Sequence, residues 1–198
     1  MDAESLCREA QGRSCAGRHA EAVQGYSAAL AINPGHAKAR FGRGLALHRL
    51  GELAEALLDL DEVVRVYPDV AAPFYGRASV HHDLGQTAQA LADCEEALRL
   101  SPEYLDARYL RGALLKKAGQ LEQALKDFAS VLERDATYHE AYFGRASCLY
   151  SFGEWARAIA DFRPISALYR VMSTPCSCAG CPTNGWANYP GRSPSFPR

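Results

Sequence analysis

Small and apolar residues recur along the chain with a period of 34 residues. With residue 3 as the first position, position 15 is glycine in five successive repeats, position 20 is alanine in all five, and position 8 is always glycine or alanine. These columns are Gly17, Gly51, Gly85, Gly119 and Gly153; Ala22, Ala56, Ala90, Ala124 and Ala158; and Ala10, Gly44, Ala78, Gly112 and Ala146. The register continues without an insertion, so the pattern predicts an array of equal units.

Each repeat predicts a pair of helices. Helix A covers roughly positions 2 to 14, and the glycine at position 15 can take the left-handed backbone conformation that ends a helix. Helix B follows, and the small residues at positions 8 and 20 let the two helices approach closely. Proline at position 32, present as Pro34, Pro68 and Pro102, suits the break before the next helix A. Because one helix pair cannot bury its own apolar face, the pairs are predicted to stack into an all-α, right-handed superhelical solenoid.

The array is predicted to end near residue 163. Its repeats are 3–36, 37–70, 71–104, 105–138 and an incomplete 139–163, since Pro164 falls at position 26 and would end helix B. Residues 164–198 hold a short apolar segment, Ile165–Met172, followed by a stretch rich in Pro, Gly, Ser and Cys that predicts a disordered tail. This abrupt change predicts a truncated or alternative form of a longer repeat protein.

Composition narrows the classes of partner. Lys and Arg number 22 against 23 Asp and Glu, and they are spread along the chain, so we expect no binding to nucleic acid. We expect no membrane span and no signal peptide, because no apolar stretch has the required length. Without a secretion signal, the seven cysteines are expected to be reduced thiols. These features predict a cytoplasmic protein and leave the nucleus open.

An arginine at position 7 and an aspartate at position 23 recur together in repeats two to five, 16 residues apart. In the first repeat Glu9 and Gly25 replace both residues, as expected of a paired interaction. A guanidinium can meet a carboxylate through two hydrogen bonds. We therefore predict ion pairs within a repeat or between adjacent repeats, with contact to a ligand as the alternative. The pairs are Arg43 with Asp59, Arg77 with Asp93, Arg111 with Asp127 and Arg145 with Asp161.

Residues 3 to about 163 resemble the tetratricopeptide repeat family. The resemblance rests on the glycine, alanine and proline columns, on aromatic residues at position 4 and position 24, and on leucine at position 11. Arginine at position 7 departs from the family pattern, as do Arg40 and Arg108 at position 4. The residues that carry the resemblance are Phe74, Tyr142, Tyr26, Phe128, Phe162, Leu47, Leu115 and Leu149.

The resemblance implies a concave groove lined by positions 2, 5, 6, 9, 12 and 13 of each helix A, which share one helical face. Position 5 supplies an aromatic row, position 9 small or aliphatic residues, and positions 12 and 13 a basic border interrupted by Asp83. The alternative is that the aromatic row packs between successive A helices. The predicted groove residues are Phe41, Leu45, His48, Arg49, Tyr75, Ser79, His82, Tyr109, Ala113, Lys116, Lys117, Phe143 and Ser147.

The family resemblance implies protein–protein interaction. We expect a scaffold or adaptor that binds a peptide or helix of a partner in the groove. The carboxylate clamp of chaperone-binding members requires Lys, Asn and Arg at fixed positions, and no register of this chain supplies them. The alternatives are a co-chaperone that binds through another surface, and an array that self-associates through uncapped ends.

The sequence predicts neither an enzyme nor a cofactor. It holds no phosphate-binding loop, dinucleotide fingerprint or zinc-protease motif. No further catalytic group is expected to converge on the cluster His81-His82-Asp83.

Two features of the tail are candidate sites, one for a metal ion and one for phosphorylation. Three thiols suit a soft metal but lack a fourth ligand, and Ser195 lies in an Arg-Ser-Pro-Ser sequence that resembles a phosphoserine motif read by adaptor proteins. The thiols are Cys176, Cys178 and Cys181.

Overall fold

A computed structural model describes residues 2–162, and every regular element in that range is a helix. Each bounded helix has 13 or 14 residues, a length of about 20 Å at 1.5 Å per residue. A further helical segment occupies residues 155–162, at the end of the described range. The bounded helices are α1 (Ala3–Cys15), α2 (His19–Ile32), α3 (Ala37–Leu50), α4 (Leu53–Val66), α5 (Ala71–Asp83), α6 (Thr87–Leu100), α7 (Leu105–Lys117), α8 (Leu121–Arg134) and α9 (His139–Ser151).

The helices stack in sequence order. Each helix packs against the one before it and the one after it, and each odd-numbered helix also touches the next odd-numbered helix. We call α1, α3, α5, α7 and α9 the A helices, and the remaining helices the B helices. The alanines at position 20 lie at this packing, at 0% exposure in the first four repeats and 2% in the fifth. The all-α solenoid predicted from the repeat is therefore confirmed.

The position-15 glycines end the A helices with a left-handed residue. Their φ angles lie between +74° and +83°. At the end of α3, the N–H of Gly51 donates to the carbonyl of His48, and the N–H of Glu52 donates to the carbonyl of Leu47, each at 3.0 Å. These bonds satisfy carbonyls that the helix end would otherwise leave without partners.

The arginines at position 4 have a local structural use. Arg40 donates from Nη2 to the backbone carbonyl of Pro34 at 2.6 Å, and Arg108 makes the same bond to Pro102. Each guanidinium thus ties the connection between two repeats to the helix that follows it. This bond gives the arginines a structural role at a position where the family pattern has a bulky residue.

Glycine at position 6 makes room for the large residue at position 24 of the preceding repeat. A Cβ at Gly42 would stand 2.5 Å from the ring of Tyr26, and one at Gly144 would stand 2.6 Å from the ring of Phe128. In repeat four the sizes are exchanged, since Leu110 occupies position 6 and shares a core cluster with the small Cys94. Successive repeats therefore fit by complementary size at this contact.

We predict opposite effects for two glycine-to-alanine changes. Gly144→Ala should destabilise the array by about 1–3 kcal/mol, because the ring of the buried Phe128 must shift. Gly12→Ala should stabilise it by about 0.5–1 kcal/mol, because no atom lies within 4 Å of the new Cβ and alanine favours a helix. Urea unfolding followed by circular dichroism measures both. Equal stabilisation by the two changes would mean that Phe128 moves without cost.

Candidate functional site on the face of the A helices

Each position-7 arginine meets the position-23 aspartate of its own repeat through two hydrogen bonds. Arg43 donates from Nε and Nη2 to the two carboxylate oxygens of Asp59, both at 2.7 Å. The other three pairs have the same geometry, at 2.6–2.9 Å. The four aspartates are only 4–6% exposed. The pairs thus join helix A to helix B within one repeat, which is one of the two arrangements that the spacing left open.

The remaining guanidinium nitrogen can reach the preceding repeat. Nη1 of Arg77 donates to Asp61 at 2.8 Å, and Nη1 of Arg43 donates to the hydroxyl of Ser27 at 3.3 Å. The guanidinium of Arg77 also lies 5.7 Å from the ring centroid of Phe74. The hydrogen bonds to aspartate raise the pKa of these arginines, so they stay charged. Their polar groups are engaged inside the protein, which favours a structural role over contact with a ligand.

The first repeat replaces this pair with a different one. Arg13, at position 11 of α1, donates to Glu9 at 2.6 Å, one helical turn away. A Cβ at Gly25 would lie 2.9 Å from Cβ of Ala10 and 3.4 Å from Nη1 of Arg13, so the glycine lets α2 approach α1 closely. In the first repeat, where Glu9 and Gly25 replace the arginine and the aspartate, an ion pair within α1 therefore takes the place of the pair between helices.

We predict that breaking one buried pair costs about 3–5 kcal/mol, because an aspartate remains in the interior without its cation. Arg111→Leu tests this at Asp127, which is 4% exposed. The double variant Arg111→Leu/Asp127→Leu should recover most of the loss, since no buried charge remains. Urea unfolding measures the three proteins, with Lys117→Leu, an exposed cation of the same helix, as the control. An unchanged midpoint for Arg111→Leu would contradict a structural role.

The predicted aromatic row lies along the A helices with its rings partly covered. Tyr75 and Tyr109 are half-buried, whereas Phe143 is 59% exposed. Tyr75 packs on Tyr104 with ring centroids 5.1 Å apart, and Tyr109 packs on Tyr138 at 5.2 Å. The row thus combines the two interpretations, since its rings pack against neighbours and also keep an exposed surface.

Tyr104 and Tyr138 are residues that the sequence reasoning missed. Both occupy position 34, directly before the next helix A, and both extend the aromatic surface. The hydroxyl of Tyr138 donates to Asp106 at 2.9 Å. Burial raises the pKa of Tyr104 to about 12, so its hydroxyl stays protonated. Their recurrence 34 residues apart was visible in the sequence, but the packing of this connection onto the rings was not.

An apolar cavity of about 570 Å³ opens beside Phe41. Its walls come from the first turns of α3 and α5 and from the connection between α4 and α5. Tyr67 and Val70 stand at its edge with 42% and 46% of their surface exposed. The polar lining comes from Glu4, Asn33, His36 and Lys38. Glu4 meets His36 Nε2 at 3.0 Å. Of the predicted groove residues, this cavity includes Phe41 alone.

The other predicted groove residues form the middle and the far edge of this face. Leu45, Ala113 and Ser147 are half-buried, and the hydroxyl of Ser79 donates to the backbone carbonyl of Tyr75 at 3.0 Å.

At the edge, His48 meets Asp83 at 2.7 Å, and Lys116 Nζ lies 5.9 Å from the ring centroid of Phe143. His82 is half-buried, and its Nδ1 has no hydrogen-bond partner among the described residues. Arg49 and Lys117 are exposed.

The described residues include four cysteines. Cys7, Cys94 and Cys148 are buried and Cys15 is exposed, and burial raises the pKa of Cys94 to about 12. Within residues 2–162, no three His, Cys, Asp or Glu side chains are grouped as a metal site would require, and no helix is long and apolar enough to cross a membrane. The predictions for Pro164, for Ile165–Met172, for Ser195 and for the thiols Cys176, Cys178 and Cys181 lie outside the described residues.

Comparison with protein families agrees with this architecture. A family model described as Tetratricopeptide repeat matches residues 7–71 and 109–164, and a second model of the same description matches residues 81–126. The chain belongs to the tetratricopeptide repeat family. This repeat is a non-catalytic protein-interaction fold, so the family assignment makes the chain an interaction scaffold with protein partners. A search of curated protein sequences gives no match.

Solved structures resemble the whole array. MamA from Desulfovibrio magneticus RS-1 is 19% identical with a TM-score of 0.75, over 87% of this chain and 97% of that one. TTC0263 from Thermus thermophilus is 21% identical with a TM-score of 0.70, over 86% and 96%. YrrB, described as a tetratricopeptide repeat protein with an unusual peptide-binding site, is 25% identical with a TM-score of 0.66, over 86% and 92%. At such identities MamA and TTC0263 show a shared fold alone.

Proposed function

We propose that the chain acts as an adaptor that holds a peptide or helix of a partner protein on the face of the A helices. The observation that carries this proposal is the row of partly exposed rings that begins at the apolar cavity beside Phe41. Aromatic residues next to an apolar pocket are the usual energetic centres of protein interfaces. The peptide-binding site named for YrrB supports the same type of ligand.

The arrangement favours an extended ligand over a small molecule. The rings of Tyr75, Tyr109 and Phe143 belong to three successive A helices, so the apolar surface is long and continues from repeat to repeat. A peptide of several residues can place alternate side chains along such a surface. No part of the classical carboxylate clamp is needed for this mode of binding.

We predict that wild-type protein selects apolar or aromatic peptides from a random phage-displayed library, and that the cavity is part of their site. Tyr67→Ser/Val70→Ser should bind the selected peptides roughly tenfold more weakly, because two exposed apolar contacts are lost. These residues are better targets than Tyr75 and Tyr109, whose rings also pack inside the fold. Fluorescence anisotropy with a labelled selected peptide measures the affinity.

The matched control is Ile32→Ser/Val66→Ser, which removes two exposed apolar residues from the last turns of the B helices α2 and α4. It should bind as the wild type does. Equal weakening by both double variants would assign the effect to general loss of apolar surface. A library selection that enriches no peptide would overturn the proposed function.

Self-association is a second candidate, and exposed apolar residues near the end of the described range favour it. Tyr150, Trp155 and Ile159 are 62%, 55% and 62% exposed, and the rings of Tyr150 and Trp155 touch with centroids 4.6 Å apart. Exposed apolar patches of this kind mark interaction surfaces. Uncapped ends of repeat arrays are adhesive for the same reason.

We predict that self-association, if it uses this patch, gives a mass that rises with concentration above the 21.6 kDa of one chain. Trp155→Ser/Ile159→Ser should abolish the rise, and Leu58→Ser, a change at a 72% exposed residue on α4, should leave it unchanged. Light scattering coupled to size-exclusion chromatography measures the mass. A wild-type mass of one chain at every concentration would exclude this candidate.

A further inference from the structure

Among residues 2–162, three cations on the edge of the A-helix face have no carboxylate partner. Arg49 lies in the last turn of α3, and Lys116 and Lys117 lie in the last turn of α7. No carboxylate oxygen of residues 2–162 comes within 4.0 Å of their nitrogens. The positive charges at this edge therefore remain available to an external anion.

The carboxylate at this edge is already engaged. At positions 12 and 13 of the five repeats, Asp83 is the single acidic residue. It meets His48 Nε2 at 2.7 Å, so its charge is directed at the neighbouring A helix. The edge thus has its one carboxylate on α5 and its cations on α3 and α7.

Two of these cations adjoin the aromatic row. Lys116 Nζ lies 5.9 Å from the ring centroid of Phe143, which is 59% exposed. Burial raises the pKa of Tyr75 and the carboxylate of Asp106 adds to that rise, whereas the charge of Arg49 opposes it. A ligand that covers these rings therefore comes within reach of both cations.

This basic edge belongs to an array that is acidic as a whole. All 23 acidic residues precede residue 163, whereas four of the 22 Lys and Arg follow residue 162, which leaves 18 cations against 23 anions in the array. A basic ligand is attracted by the average charge of the array, but it meets repulsion at this edge. The positive charge of this edge therefore favours acidic ligands in the groove, whereas the acidic remainder of the array attracts basic ones.

We propose that the partner segment is an acidic peptide whose apolar or aromatic side chains cover the rings of the A-helix face and whose carboxylates meet Arg49 and Lys116–Lys117. This inference rests on the proposed peptide-binding function and names the chemistry of the ligand.

The geometry sets a spacing between the two acidic positions. Arg49 and Lys116 lie on α3 and α7, which are separated by α5, so two steps of about 10 Å divide them. An extended peptide advances about 3.3 Å per residue. The two acidic positions should therefore lie about six residues apart, with apolar residues between them.

The test uses the full chain as bait for a random dodecapeptide phage library. We expect enriched peptides to carry Asp or Glu at two positions about six residues apart, with aromatic or aliphatic residues between. Arg49→Glu/Lys116→Glu should bind a labelled enriched peptide roughly tenfold more weakly, since each reversed charge repels a carboxylate. Added salt should weaken wild-type binding and not binding by the variant.

Lys126→Glu is the control, because it reverses an exposed cation on the B helix α8 and leaves the A-helix face unchanged. Its affinity should remain within about twofold of the wild type. Enriched peptides that are neutral or basic would overturn the inference and leave the proposed function standing. Equal weakening by Lys126→Glu would also overturn it, because long-range charge would then explain the effect. A selection without any enriched peptide would overturn both.

Discussion

The buried ion pair between helix A and helix B is the interaction on which the architecture of repeats two to five depends. An aspartate at 4–6% exposure is tolerable only because a guanidinium holds both of its oxygens. The two parallel hydrogen bonds define the distance and the orientation between the guanidinium and the carboxylate. Once the pairs are made, the position-7 arginines are withdrawn from the ligand-binding chemistry of the neighbouring surface.

In the proposed binding mode, the cations that recognise a partner are therefore those outside these pairs. The guanidiniums inside the repeats are paired with carboxylates. Arg49, Lys116 and Lys117 lie in the last turns of their helices, and no carboxylate of residues 2–162 forms an ion pair with them. The A helices therefore carry two populations of basic residues, the paired arginines that face helix B and the cations at the edge of the proposed groove. The rings between them provide the apolar surface that a partner would cover.

Much of the fold was predictable because the same packing constraints recur in five successive repeats. The glycine column identified the helix ends, and the joint loss of arginine and aspartate in the first repeat identified the ion pair. The contact between Gly144 and Phe128 was missed, although the exchange of sizes at Cys94 and Leu110 carried its signal. This contact joins residues of different repeats, so a search for recurring columns does not find it. The packing of Tyr104 and Tyr138 depends on the path of the connections, which periodicity does not encode.

The hydrogen bonds that the position-7 arginines make to the preceding repeat differ from one junction to the next. Arg77 reaches Asp61 with a charged bond and Arg43 reaches Ser27 with a neutral one. Within the described residues, Arg111 and Arg145 make no hydrogen bond to the repeat before them, and the corresponding position before Arg145 is Ala129, which has no side-chain oxygen. Since a repeat array behaves as a one-dimensional chain of coupled units, the position-7 arginines contribute unequally to the coupling of successive repeats. Their charged bond joins the second and third repeats, whereas the third and fourth repeats are joined by a different ion pair, Arg134 with Glu103.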